Sequence, residues 1–182
     1  MTTANNYLFT SQRLGFRPWA HHDLDEFAAM NADPEVMKHF PKPLSMEESE
    51  EFLNRLFKHQ AKHGYCYFAA EVLESKELIG FIGLAYQTYE APFTPATDIG
   101  WRLKRSAWGR GYATEGAKRC LQFAFEDLQL EKLISTCPVV NHRSELVMQK
   151  IGMKKAGEFD HPYLQDYPEL QKCVWYEIQR IS

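Results

Sequence analysis

Residues Trp108 to Thr114 read Trp-Gly-Arg-Gly-Tyr-Ala-Thr, with two glycines between a strand-like run and a helical stripe. Glycine reaches dihedrals that other residues resist and lets a ligand approach the backbone closely. Amides in such a loop and in the first helical turn have no partner inside the helix, and the helix dipole favours negative charge beside them. Strand, glycine-rich turn and helix therefore form a site for a phosphate or pyrophosphate, made by Gly109, Arg110, Gly111, Tyr112, Ala113 and Thr114. Arg110 adds a charge-assisted contact. A tight strand-to-helix turn with no ligand would use the same glycines. The nucleotide patterns fit poorly, because GxGxxG needs glycine where Thr114 stands and the P-loop needs Gly-Lys-Ser/Thr.

Other residues invite chemistry less strongly. His59 and His63 have the i, i+4 spacing of a zinc pair, but Gln60 follows His59 where a metallohydrolase needs Glu. No metal is expected. Glu115 suits the first turn of a helix, where it complements the dipole. Tyr86, Tyr89, Phe93 and Trp101 are equally suited to an acceptor pocket and to ordinary sheet packing.

The elements around these residues follow from periodicity. Arg13 to Arg17 alternates like a short strand, and Asp23 to Asn31 carries Leu24, Phe27 and Ala28 at helical spacing. Ser45 and Glu48 form a capping box ahead of a helix with Phe52, Leu53, Leu56 and Phe57 on one stripe, ending near Gly64. Strand-like runs follow at Tyr65–Val72, Leu78–Tyr86 and Asp98–Leu103, the first two joined as a hairpin. Ala117, Cys120, Leu121, Ala124, Phe125 and Leu128 mark the clearest helix. Lys132–Cys137 is a buried strand, Asn141–Ile151 a helix stopped by Gly152, and Met153–Glu158 and Lys172–Ile178 the last strands. This order is not the regular alternation of a doubly wound sheet; it predicts an α+β fold with a mixed, largely antiparallel sheet of about seven strands flanked by helices.

The chain has 182 residues, 45% hydrophobic and 25% charged, within the range of one soluble globular domain spanning residues 1–182. A net charge of −3 argues against a broad nucleic-acid-binding face. Cys66, Cys120, Cys137 and Cys173 are far apart and form no CxxC pair. Met1–Thr10 is polar, and no apolar run nears the ~20 residues of a bilayer span. A cytoplasmic protein with reduced thiols and no membrane partner is expected.

The run from Asp98 to Gly116, DIGWRLKRSAWGRGYATEG, resembles the cofactor motif of the GCN5-related N-acetyltransferases, in the branch of the ribosomal-protein N-terminal acetyltransferases (RimJ/RimL-like). Trp108 replaces the Gln or Arg usual in that motif. Asn141-His142-Arg143-Ser144 with Lys150-Ile151-Gly152-Met153 is a second match. Others are Arg13-Leu14, Arg17-Pro18-Trp19, Asp33-Pro34-Glu35-Val36-Met37, Phe159-Asp160-His161-Pro162 and Val174-Trp175-Tyr176, so the resemblance spans nearly the whole chain.

The resemblance implies direct transfer of acetyl from acetyl-CoA to a primary amine, on a peptide N-terminus or a small molecule. It implies that Gly109 to Thr114 hold the pyrophosphate and that the strand Trp101, Arg102 and Leu103 aligns the pantetheine arm. It also implies that Ser144 serves the leaving thiolate and Asn141 the arm; either could instead cap its helix. For the base there are two expectations: Asp98 acting through water, its alternative being a solvated strand end, or Asp160 and His161, whose alternative is a loop with a local turn bond. The acceptor would enter between the early helices and the Tyr86–Asp98 loop, with specificity around Phe40 and Glu90. The rival of a different class is a protein that binds acetyl-CoA as a sensor without turnover.

Overall fold

The computed structural model describes residues 7–180, so Met1–Asn6 of the polar N-terminal stretch lie outside the described residues. The chain opens with a hairpin, β1 (Phe9–Thr10) and β2 (Leu14–Arg17), followed by α1 (Leu24–Ala32) and α2 (Met46–His63). A meander follows: β3 (Tyr67–Val72), β4 (Leu78–Gln87) and β5 (Ala96–Leu103). Then come α3 (Tyr112–Gln122), β6 (Lys132–Pro138), α4 (His142–Lys150), β7 (Lys154–Asp160), α5 (Pro168–Gln171) and β8 (Lys172–Gln179). The strands form one sheet in the order β1-β2-β3-β4-β5-β6-β8-β7. Every neighbouring pair is antiparallel except β5 and β6.

Local chemistry sets the ends of α2 as expected. Ser45 Oγ accepts the Glu48 amide and the Glu48 carboxylate accepts the Ser45 amide, while Gly64 closes the helix at φ 79°. The structure refines two details of the expected order. Among the described residues the sheet has eight strands, because Phe9 and Thr10 form a two-residue strand too short to show a period. Its anchor is aromatic: Phe9 stacks on Phe16 and Phe123. The helix expected to run on to Leu128 changes at Phe123–Asp127 into a π turn, which reaims the chain toward β6.

β4 is buried from Leu78 to Ala85 because both faces of the sheet are covered. On one face α3 lies so close that a Cβ on Gly116 would meet Ile82 Cδ1 at 2.3 Å. On the other, Phe27 of α1 and Phe52 of α2 pack on Phe81 of β4. The core is continuous across the sheet, with a smaller cluster of Phe93, Ile134, Phe159 and Cys173 near β7 and β8. No helix of the described residues is long and apolar enough to cross a membrane.

The feature that matters most for function is the parallel pair. β6 meets β5 at Asp98 and Ile134 and then departs, so the sheet splits between them.

Candidate active site at the split sheet

Along the edge of β5 away from β4, Ser135 Oγ donates to the Ile99 carbonyl (2.8 Å) and Trp108 Nε1 donates to the Leu103 carbonyl (2.9 Å). Strand alternation puts the N–H and C=O of Trp101 on this same edge, between those two. With β6 gone, they face open space. Arg102 pairs with Phe81 of β4, and its side chain rises on the face of α1 and α2. Of the strand residues expected to align a cofactor arm, Trp101 and Leu103 thus point backbone groups at the opening and Arg102 does not. Trp108, in the place of a usual Gln or Arg, ties the glycine loop to the end of β5.

The glycine loop follows a single 3-10 turn, Arg105–Ala107. Gly109 and Gly111 have φ of 73° and 79°, conformations that strain an L side chain. Gly111 is the N-cap of α3, and it offers no side chain to accept from the first-turn amides. Gly109, Arg110 and Gly111 are exposed, whereas Tyr112 is buried and Ala113 and Thr114 are half-buried. Glu115 does more than complement the dipole. Its carboxylate accepts from Ser11 Oγ (2.7 Å), the Arg13 amide (2.7 Å) and Arg13 Nε (2.6 Å), pinning the β1–β2 turn to α3. These contacts hold the Glu115 carboxyl low against the opposing effect of burial. The Arg13 guanidinium then lies 4.6 Å over the Tyr112 ring, beside Gly111.

Beyond the loop, the split opens into a cavity of about 300 Å³ lined by Asp98, Trp101, Arg102, Asn141, Ser144 and His161, among others. Asp98 is 9% exposed. Tyr67 Oη donates to its carboxylate at 2.7 and 2.9 Å, and Gln87 Nε2 donates at 2.9 Å. Burial outweighs these donors and pushes the Asp98 carboxyl up to about 7. Burial and the Asp98 charge raise the Tyr67 hydroxyl well above its ordinary value, so the phenol stays a donor. A carboxylate poised near neutrality beside an open strand edge is suited to accept a proton.

Across the split stands the N-terminus of α4. Asn141 Oδ1 accepts the Ser144 amide at 3.2 Å, so Asn141 is the N-cap. The half-buried Ser144 also lines the cavity, one turn into the helix. His161 reaches the cavity, with Nδ1 accepting the Tyr163 amide at 3.2 Å and its ring 4.7 Å from Tyr89; burial lowers its pKa. Asp160 is exposed and borders a separate shallow hollow with His161 and Pro162. Of the expected Asp160–His161 pair, His161 alone lines the cavity that holds Asp98.

The aromatic candidates divide too. Tyr89 and Trp101 line the cavity, Phe93 packs in the small cluster, and Tyr86 lies outside against His63. His59 Nε2 accepts the Tyr86 amide at 3.1 Å, and burial first, then the nearby His63 charge, lowers its pKa to about 4. His59 and His63 stack at 4.4 Å in a structural role at the end of β4. Sequence reasoning missed Tyr67, Gln87 and His39, which line the cavity from β3, β4 and the α1–α2 connection. No short-range pattern signals them: Tyr67 is 31 positions from Asp98.

Comparison with known proteins agrees with this architecture. Residues 13–154 match the acetyltransferase (GNAT) domain family. The chain is 30% identical over 151 residues to the uncharacterized N-acetyltransferase YnaD of Bacillus subtilis, covering 82% of this chain and 84% of that one. It is also 30% identical over 176 residues to the FsC-acetyl coenzyme A-N(2)-transacetylase of Aspergillus fumigatus, covering 92% and 74% respectively. The crystal structure of a GNAT-family acetyltransferase from Bacillus anthracis superposes with a TM-score of 0.77 at 25% identity, covering 93% of this chain and 96% of that one. With a domain match over most of its length, two relatives at this identity and a superposing fold, the chain belongs to the GNAT acetyltransferase family.

Proposed function

We propose that this protein transfers acetyl from acetyl-CoA directly to a primary amine, with Asp98 as the base that acts through water and Ser144 as the donor to the leaving thiolate. The observation that carries the reading is the juxtaposition at the split: an open strand edge at Trp101, an uncapped helix start at Gly111, and Asp98 and Ser144 on one cavity. The name of the Aspergillus fumigatus relative, an acetyl coenzyme A transacetylase, supports the choice of acetyl donor.

Each residue has a task in this reading. The amides of Gly109 to Thr114, with Arg110, hold the pyrophosphate. The Trp101 and Leu103 edge aligns the pantetheine arm as an added strand would, and Asn141 steadies it from α4. The Trp101 amide is the donor toward which the thioester oxygen gathers charge. As the amine nitrogen bonds the acetyl carbon and the carbon–sulfur bond breaks, a water takes the amine proton and passes it to Asp98, while Ser144 gives a hydrogen bond to the sulfur. His161, farther along the cavity and already accepting the Tyr163 amide, is the less favoured base.

The test pairs calorimetric titration of acetyl-CoA with thiol release against a panel of peptides and small amines. Saturable binding with amine-dependent thiol release is expected. Binding with no turnover across the panel would favour a sensor, and absence of binding would overturn the reading.

A further inference from the structure

Arg102 is 9% exposed, yet it has no carboxylate partner; the ion pairs of the described residues leave it out. Its guanidinium donates from Nη1 to Asn31 Oδ1 at 2.7 Å, while its buried Nε has no partner. Asn31 is itself fixed, donating to Ser49 Oγ at 3.3 Å. The rest of the surroundings is aromatic, with Phe40, Phe81 and Phe52 at 4.1, 5.3 and 5.5 Å from the guanidinium carbon. Ring faces attract a cation but do not accept its in-plane N–H groups. Burial lowers the Arg102 pKa to about 10, the mark of an uncompensated cation.

Arg102 lines the same cavity as Asp98, as do Phe40, Phe52 and Phe81 around its guanidinium. Asp98, Gly100 and Arg102 alternate onto one face of β5, and four strand steps of ~3.3 Å put the outer two Cα atoms about 13 Å apart. Gly100 lies between them without a side chain, under the Tyr67 ring. His39 lines the cavity too, and Lys38, Arg143 and His142 add to burial in lowering its pKa. A polyamine would bring further positive charge against an already unpaired cation. A carboxylate would give the planar fork the acceptors it lacks.

We infer that the acceptor is an amine bearing a carboxylate a few bonds away, and that Arg102 is the specificity residue that receives this carboxylate. The inference rests on the acetyltransfer reading, because the amine in question is the one that Asp98 serves in it.

The experiment titrates CoA-saturated protein with N-acetylglycine, N-acetyl-β-alanine, N-acetylleucine and N-acetylphenylalanine, each against its primary amide. At least one carboxylate should bind about 10-fold or more tightly than its amide, the scale of a charged hydrogen bond in a dry site. In Arg102→Gln that preference should fall to within about 2-fold, and Arg102→Lys should keep part of it, both with CoA affinity intact. Equal binding of acids and amides by the unmodified protein would overturn the inference, whatever the variants do. So would a preference that survives Arg102→Gln. Failure of the unmodified protein to bind CoA at all would instead sink the acetyltransfer reading, so the two failures are distinct.

Discussion

At Asp98, burial and hydrogen bonding oppose each other, and burial wins by enough to bring the carboxyl to about 7. The sign for stability follows from an unfolded value near 3.9. Because the folded pKa is raised, the folded state holds an extra proton between about pH 4 and 7; stability from this group is fully present below the unfolded value and lost as pH rises through about 7. Asp98→Asn should therefore melt higher than the parent above pH 7, with the gap closing toward pH 4 in thermal scans. The same variant should lose the rise of kcat/KM through about pH 7 and fall about 100-fold in kcat, the lower range for general-base catalysis. A parent profile flat from pH 6 to 8 would remove Asp98 from the base role. On α4 the cap and the proposed donor are separable. Ser144→Ala should lower kcat about 10-fold and leave acetyl-CoA affinity within about 2-fold, because the proposed hydrogen bond to the sulfur would strengthen only as charge develops. Asn141→Ala should cost about 1 kcal/mol of stability through the lost cap, and acetyl-CoA affinity besides. Melting curves and single-turnover kinetics on both variants would expose any overlap.

At the scale of elements, two glycines allow strain and ligand contact to be told apart. Gly64 at the end of α2 and Gly111 at the start of α3 share a φ of 79°. A Cβ at Gly64 would meet nothing within 4 Å, and one at Gly111 only Arg13 Nη2 at 3.5 Å. Gly64→Val and Gly111→Val should each destabilise by roughly 1–2 kcal/mol, the cost of a left-handed L residue. Only Gly111→Val should abolish acetyl-CoA binding by calorimetry, since its side chain enters the space claimed for the pyrophosphate. Equal acetyl-CoA affinity in the two variants would dissociate the loop from the phosphate. The ends of α2 were legible because a capping box and a terminal glycine act within one turn. The end of α3 was not: the apolar stripe continues past Gln122, and the π turn at Phe123–Asp127 arises where Phe123 must pack on Phe9 and Phe68.

For the whole molecule, the split sheet has a thermodynamic consequence. A ligand bridging β5, the loop before α3 and α4 binds the folded state only, so acetyl-CoA at 100 times its Kd should add about 2.7 kcal/mol. For a chain of this length that is roughly 5–11 °C in Tm, read by scanning fluorimetry, and Gly111→Val should show no such shift. A shift that persists in Gly111→Val would move the ligand elsewhere.

What the sequence determined by itself is what lies close along the chain: the capped helices, the alternating strands, and the glycine turn feeding α3. Periods, caps and positive-φ glycines act through neighbours a few residues apart, and their motif also carried the family resemblance. Only the tertiary structure decided which groups meet. Tyr67 and Gln87 reach Asp98 because three antiparallel strands align Tyr67, Gly83 and Gly100 in register. Arg102, expected along the cofactor strand, turns instead toward Asn31 because alternation from Asp98 fixes its face. The open edge at Trp101 exists because β6 pairs with β5 at Asp98 and then leaves. Those outcomes depend on register and long-range burial, where a one-residue slip would send every side chain to the other face.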